Sequence, residues 1–523
     1  MYILVYQYEN EKFTCPKCGE KIKFNKKLID ILSTSNNDIN DILVGLKIQI
    51  ENVMQDIGNN KAINYINSQL KNINIIINNA ISELKKNKEN INQLCNFNQT
   101  HDLIKKQNII EGELDIKVND INDGVLLFNR KDIKGIEVYL NNKQVNLKNK
   151  DEKWIIDYNF KKDGRYKFKI IFNNAIEDLT TFFFKCLNLY SIDLSNFDTS
   201  NITSMRSLFN SCSYLREIKG LIKLKTNNVS NMRCLFNLCK ELQYLDLSNF
   251  DTSNVIDMSY MFNECNKLRE IRGLNRFITK NVSNMEYMFS NCEKLEYLDL
   301  STFDISRVNE IEFMFNECKS LKEIKGLSSF SKNKVNKINS MFENCYELEC
   351  IDLSNFDTSE ITDMSWAFNF CLKLKEIKGI NNFNTSKVEN MESMFKCCEK
   401  LEYLDLSNFD TSNVSNMKAM FGGCHSLHEL KGLNKFNTSN VTSMKQMFQE
   451  CKQLKYLDLS EFDSSNLIDM RSMFYGCTNL KYLNISNFYM NDITDGMFSL
   501  IDKDKCKIIA NDEHLRNLFT NEN

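Results

Sequence analysis

Two cysteines, Cys15 and Cys18 in FTCPKCGEKIKF, are the first residues whose types and spacing could do chemistry. Thiolates two residues apart suit zinc, and a structural zinc takes four ligands in a tetrahedron. The neighbouring sequence offers only two. Cys95 and His101, in CNFNQTH, complete a Cys₃His set if the chain between folds back on itself, so one structural zinc is the expected cofactor. Two knuckles shared between two copies, or an unmetallated turn, are the alternatives. A redox reading of Cys-Pro-Lys-Cys lacks the strand–helix–strand surroundings that chemistry needs.

Nothing else suggests catalysis. The remaining histidines, His425, His428 and His514, have no repeated partners, and His425 and His428 read as a solvated loop. The chain lacks a glycine-rich phosphate loop, a Gly-x-Ser-x-Gly elbow and a His-Glu-x-x-His helix. A net charge of −3 leaves no basic footprint for nucleic acid or anionic membrane. No apolar run is long enough to span a bilayer. The start, MYILVYQYENEKF, does not read as a signal peptide. A cytoplasmic protein is expected, with the cell surface as the alternative if a leader precedes this sequence.

The elements that would bring Cys95 back to Cys18 are legible at 27–95. Ile39, Leu43, Leu46, Ile50, Val53 and Ile57 alternate steps of four and three, as do Ile66, Leu70, Ile73, Ile77, Ala80 and Leu84. Both are heptad seams. Gly58 with Asn59 and Asn60 breaks them. The reading is a coiled-coil hairpin or a dimeric coiled coil, the latter making the protein a homo-oligomer.

The larger cysteine set falls at 186, 212, 239, 265, 292, 318, 345, 371, 398, 424, 451 and 477, spaced alternately 26 and 27. Such periodicity marks a solenoid. Phenylalanine stands three residues before every one of them, and methionine seven before in nine rungs. Offsets −7, −4, −3 and 0 trace one face of a short helix. After the cysteine the period becomes two, as in CKELQYLDLSNF, the mark of a short strand. The predicted fold is therefore an α/β repeat of about twelve rungs over 181–500, each a short helix and a short parallel strand. A knuckle hairpin (1–26), the helical segment (27–95) and a small β domain (108–180) that also caps the N-terminal end of the stack precede it, with an independent ligand-binding module as the alternative for that domain, and a cap (501–523) closes it. In the β domain NFKKDGRYKF reads as a hairpin turning at Asp163 and Gly164, and Trp154 as a core residue.

The strand's outward face alternates with the doubled period. Tyr244, Tyr297 and Tyr403 interleave with Glu270, Glu323, Glu376 and Glu429. Two positions on, Asp246, Asp299, Asp352 and Asp405 interleave with Arg272, Lys325, Lys378 and Lys431. In a parallel stack each aspartate would sit between two cations, which explains the doubled period as avoidance of a like-charge column. The face pairs with itself or binds protein, and the two roles are compatible.

The stretch LDLSNFDTSNVIDMSYMFNECNKL, with its near-copies through 181–500, resembles the BspA-like leucine-rich repeat of mycoplasma lipoproteins and protist proteins. That resemblance implies a leucine-rich-repeat-like solenoid, protein or surface binding, and no catalysis. The expected function is a non-enzymatic interaction scaffold that self-associates through its coiled coil. A ubiquitin-ligase-like adaptor, similar to tripartite-motif proteins in domain order, and a cell-surface adhesin are the alternatives.

Overall fold

The computed structural model describes residues 13–14, 21–22, 108–118, 125–129, 134–150, 153–331, 333–489 and 494–522. The chain divides into two units, Met1–Lys105 and Lys106–Asn523. In the first, β1 (Phe13–Thr14) pairs antiparallel with β2 (Lys21–Ile22). Cys15, Cys18, Cys95, His101 and the heptad seams lie outside the described residues.

The second unit begins with a β cap. Strands β3 (Asn108–Ile116), β4 (Val125–Asn129), β5 (Ile136–Leu140), β6 (Lys143–Gln144), β7 (Asn146–Lys150), β8 (Lys153–Asp157) and β9 (Gly164–Phe172) fall into two sheets. One sheet has the order β4-β8-β7. In the other, of order β11-β10-β3-β9-β5-β6, β3 runs beside β10 (Leu189–Asn196), the first solenoid strand, which in turn pairs with β11 (Glu217–Lys219). The expected hairpin at Asp163–Gly164 is therefore incorrect: β8 and β9 belong to different sheets, and NFKKDGRYKF crosses between them. Strand β3 instead covers the open edge of the first rung, where an unpaired backbone row would otherwise face solvent.

Beyond β11 the chain is a rod of stacked turns. The phenylalanines three before each ladder cysteine form one unbroken column from Phe183 to Phe474, which Phe498 extends, with successive centroids 5.3–6.0 Å apart and rings within 16° of parallel. Truncating one of these buried rings to alanine costs about 3–5 kcal/mol. A second aromatic column includes Phe277 stacked on Phe303 and Phe436 on Phe462, at 6.3 and 6.1 Å. At the far end the helix α1 (Glu513–Asn521) starts from Asp512, whose carboxylate accepts the Leu515 N–H at 3.0 Å. Phe519 of α1 sets its ring edge against Phe498, 5.3 Å away, and closes the column.

The expected helix in each rung is absent. Between Met258 and Cys265, the N–H groups of Met258, Tyr260, Phe262 and Glu264 donate to the next rung, at 2.8–3.0 Å. Those of Met261, Asn263 and Cys265 turn back three residues. Tyr260 and Glu264 have left-handed φ of 58° and 54°. The segment is thus two consecutive tight turns, and the same alternation recurs along the rod. The reason is pitch. An α-helix with its side chains is about 10–12 Å wide, twice what a step of 5.3–6.0 Å between ladder rings allows. The inward positions were read correctly, since two four-residue turns bury the same −7, −4, −3 and 0 offsets as a helix.

The doubled period has a backbone cause rather than the electrostatic one expected. Each 27-residue rung carries one glycine, Gly220, Gly273, Gly326, Gly379 or Gly432, at φ of 80–97°. The glycine opens a short 3₁₀ turn that the 26-residue rungs lack. A Cβ on Gly273 would stand 2.4 Å from the Ser248 Cα of the preceding rung. Gly273→Ala therefore meets both a forbidden φ and a backbone collision, and should lower stability by about 1–3 kcal/mol in urea unfolding.

The sixteen described cysteines form no disulfide. Each ladder thiol from Cys212 to Cys477 donates to the carbonyl of the ladder phenylalanine one rung earlier, as Cys265 does to Phe236 at 3.2 Å and Cys318 to Phe289 at 3.1 Å. Burial pushes the thiols of Cys265, Cys318 and Cys477 up to about 12, and raises the other ladder thiols too. They are core fillers, protonated and inert. In the unfolded chain a thiol titrates near about 8.5. Above that pH the folded state keeps protons that the unfolded state has lost, so stability falls as pH rises. The thiol contribution should be fully present below about pH 8.5 and lost towards about 12, at roughly 1.4 kcal/mol per pH unit for each thiol. Urea midpoints across this range should show it, and Cys318→Ala should lower the slope by about one proton.

Candidate binding face

Past β11 the strands of the rod are three residues long and occur in doublets as far as a three-stranded sheet at its end. Tyr244–Asp246 pairs in parallel with Glu270–Arg272, Tyr297–Asp299 with Glu323–Lys325, Cys350–Asp352 with Glu376–Lys378, and Tyr403–Asp405 with Glu429–Lys431. The middle residue points inward, as Leu245 and Leu298 do, and the two flanking residues point out. The alternation read from the sequence is thus brought onto one face: in these doublets tyrosine is in register with glutamate and aspartate with a cation, whereas Tyr456 and Asp458 face Tyr482 and Asn484.

The ionic pattern differs from expectation. An aspartate does not lie between two cations, because strands pair within a doublet and not across the glycine turn that follows. Asp299 meets Lys325 at 3.6 Å, one rung on. Arg272 instead reaches Glu270 of its own strand at 3.0 Å, and Lys431 reaches Glu429 at 3.9 Å. Beside this row, Glu296 meets Lys322 and Glu349 meets Lys375, both at 2.7 Å and both within a doublet. Exposed pairs of this kind contribute about 0–1 kcal/mol each.

The aspartates have a second task. The Oδ1 atoms of Asp246, Asp299, Asp352 and Asp405 accept the N–H of Ser248, Ser301, Ser354 and Ser407 at 3.0–3.1 Å, which holds the turn after the strand. Hydrogen bonds from Ser354 and Ser407 keep Asp352 and Asp405 below the usual carboxylate range. At Asp299 burial works the other way, but Ser301 and Lys325 outweigh it.

The tyrosines are what the fold leaves exposed. Tyr244, Tyr297 and Tyr403 stay 39–48% accessible, and Tyr456 reaches 70%. Arg272 lies 5.3 Å from the centre of the Tyr244 ring and Lys431 5.0 Å from that of Tyr403. Burial and the Asp246 carboxylate push the Tyr244 phenol up to about 12. Cys350, exposed, takes the tyrosine place in one doublet, its Sγ 3.6 Å from Glu376. The arrangement offers a row of phenols, two of them with a cation near the ring, with carboxylates and ammonium groups between. It can form hydrogen bonds, ring contacts and ion pairs.

The repeated phrase LDLSNFDTSNV turns out to be structural in nearly every letter. Thr252 donates its hydroxyl to the Ile278 carbonyl at 3.1 Å and accepts the Ile278 N–H at 2.8 Å, clamping the next rung. Thr279 does the same to Asp304 at 2.9 and 2.7 Å. The amides of Asn249 and Asn254 donate back to Ile222 and Asn227, both at 2.7 Å. Sequence reasoning missed these threonine and asparagine ladders and the second phenylalanine column. The signal was present in the repetition of NFDTSN itself.

The solved structures similar in fold include two leucine-rich repeat proteins. One, from Bacteroides ovatus, is 17% identical, covers 68% of this chain and 90% of its own, and superposes with a TM-score of 0.32. The other, from Eubacterium ventriosum, is 14% identical, covers 60% and 90%, and has a TM-score of 0.31. A search of curated proteins gives no match. Residues 177–275, 272–350, 337–432 and 416–507 each match one family, described as Mycoplasma protein of unknown function, DUF285. These matches run through the whole rod and well over half of the chain, and the chain belongs to that family.

Proposed function

We propose that this protein is a non-enzymatic interaction scaffold whose strand face recognises a protein partner. The row of accessible tyrosines carries this reading: every inward position is spent on the core, yet Tyr244, Tyr297, Tyr403 and Tyr456 remain in solvent on one side. Tyrosine is enriched at interface centres, where it brings apolar area and a hydroxyl at little entropic cost. The mixed charges around it fit a protein surface better than a polyanion. Self-association through the heptad seams at 27–95 would present more than one such face, and avidity would follow.

The proposal includes a reducing compartment, the cytoplasm, as the place of action. The free ladder thiols and the exposed Cys350 suit it. It also includes one structural zinc held by Cys15, Cys18, Cys95 and His101, whose thiolate and imidazole donors are those zinc prefers.

Two measurements test these points. Full-length protein with Tyr297→Ser, Tyr403→Ser and Tyr456→Ser should melt within about 1 °C of the wild type, because exposed substitutions change stability little. It should also lose the partners that the wild type captures from a lysate of its own cells. Capture unchanged by the triple substitution would exclude the strand face. For the metal, purified full-length protein should hold about one zinc per chain, and Cys15→Ser should remove it. A wild-type content near zero would exclude the site.

A further inference from the structure

On the other side of the rod, the position five before each ladder cysteine is held by small residues in most rungs, among them Ser207, Ser340, Ser393 and Ala419. The backbone there is left-handed, with φ of 52–54° at these four. That conformation disfavours bulky side chains. Yet Tyr260, Tyr287 and Phe313 fill the column in three consecutive rungs, their rings stacked at 4.8 and 4.4 Å, and Trp366 follows two rungs later. The interior does not need them, since the inner phenylalanine column is complete without them. At one end of the stack the Arg233 guanidinium lies 5.2 Å from the Tyr260 ring centre. Among the described residues, no cation lies over Phe313 or Trp366.

Carboxylates collect around these rings. Glu286 and Glu312 sit beside Tyr287 and Phe313 in sequence. Burial, followed by the charges of Glu312 and Glu310, raises Glu286 above the usual range. One rung on from Glu312, Glu343 accepts the Asn369 amide N–H at 2.8 Å. That bond satisfies the Asn369 amide N–H, and Asn369 is only 5% exposed. Its Oδ1 has no partner among the described residues, and neither has the Oγ of Ser365, next to Trp366 and 1% exposed. Both atoms are closed off from solvent, so what a partner would meet is the carboxylates and the rings.

The column six before each ladder cysteine narrows the position further. It is basic near one end, at Arg206 and Arg233, acidic at Glu286, Glu312 and Glu392, and basic again at Lys418, Lys445 and Arg471. A cationic segment is therefore attracted at the centre and repelled on both flanks. Of the side chains that could answer, arginine alone combines five donors, a permanent charge and a flat face that lies against aromatic rings. We propose that the outer face around Phe313, Glu343 and Trp366 docks an arginine-bearing segment of a protein partner. Its guanidinium is received by the Glu343 carboxylate, with the two rings flanking it. This surface is separate from the strand face, and the inference does not depend on the function proposed above.

Fluorescence anisotropy of a labelled hexa-arginine peptide with the full-length protein, at near-physiological salt, tests it. Wild type should bind the peptide, and hexa-lysine, equal in charge but without the planar fork, should bind more weakly. Glu343→Gln and Trp366→Ser should each weaken hexa-arginine binding by about tenfold or more. Serine already occupies this column at Ser340 and Ser393, so Trp366→Ser should leave the melting temperature unchanged, which separates loss of the site from loss of the fold. Tyr297→Ser on the strand face should bind like the wild type. Absence of binding, equal affinity for the two peptides, or undiminished binding by both site variants would each overturn the proposal.

Discussion

The spacing of the rungs governs everything else in this rod. Rings stacked at 5.3–6.0 Å leave room for one layer of backbone per rung and no more. Under that limit each peptide group must bond to the rung before or after it, or turn tightly on itself. A buried peptide left unpaired costs about 1–3 kcal/mol, and hundreds of them are at stake. The turn segments meet the limit by alternating the two solutions, one N–H across and the next N–H back. Where neither suffices, side chains supply the bond. The ladder thiols donate to phenylalanine carbonyls, the threonines clamp a whole peptide, and the asparagines reach back one rung.

The same limit accounts for the composition. An asparagine amide that donates to the preceding rung is worth more here than an exposed asparagine elsewhere, because it repeats at every level and each copy orders the next. Cysteine fills the space of a small apolar residue while satisfying a carbonyl that already accepts one backbone N–H. Glycine appears where two rungs touch backbone to backbone, as Gly273 does against Ser248. The chain uses few glycines because it needs few such contacts.

How much could be read beforehand follows the same lines. Column identity was legible: the ladder cysteines, Phe289 and its equivalents, and Leu245 and Leu298 on the inner side of the strands all lie where the periodicity put them. Local conformation was not. A helix and two four-residue turns bury the same offsets, and only the pitch, which no single rung reveals, separates them. Charge pairing was half legible. Asp299 and Lys325 face each other as expected, but Arg272 turns to Glu270 because the glycine turn uncouples its strand from the next doublet. The hairpin at Asp163–Gly164 failed for a similar reason: local turn chemistry says that the chain reverses, not which sheet it joins.

In a repeat of this kind the consensus describes what holds the rod together, so recognition has to lie in residues that the consensus does not require. Two sets meet that condition. The tyrosines of the strand face recur with the period yet bury little, and their cost to stability is small. The rings of Tyr260, Tyr287, Phe313 and Trp366 break the period, and they do so on a left-handed backbone that favours the small residues found in most other rungs. A departure that carries a conformational cost, repeated over adjacent rungs and surrounded by carboxylates, is not what stability alone would retain. The rod's stability is spread over many equivalent rungs, and this is what lets a few of them carry such a cost.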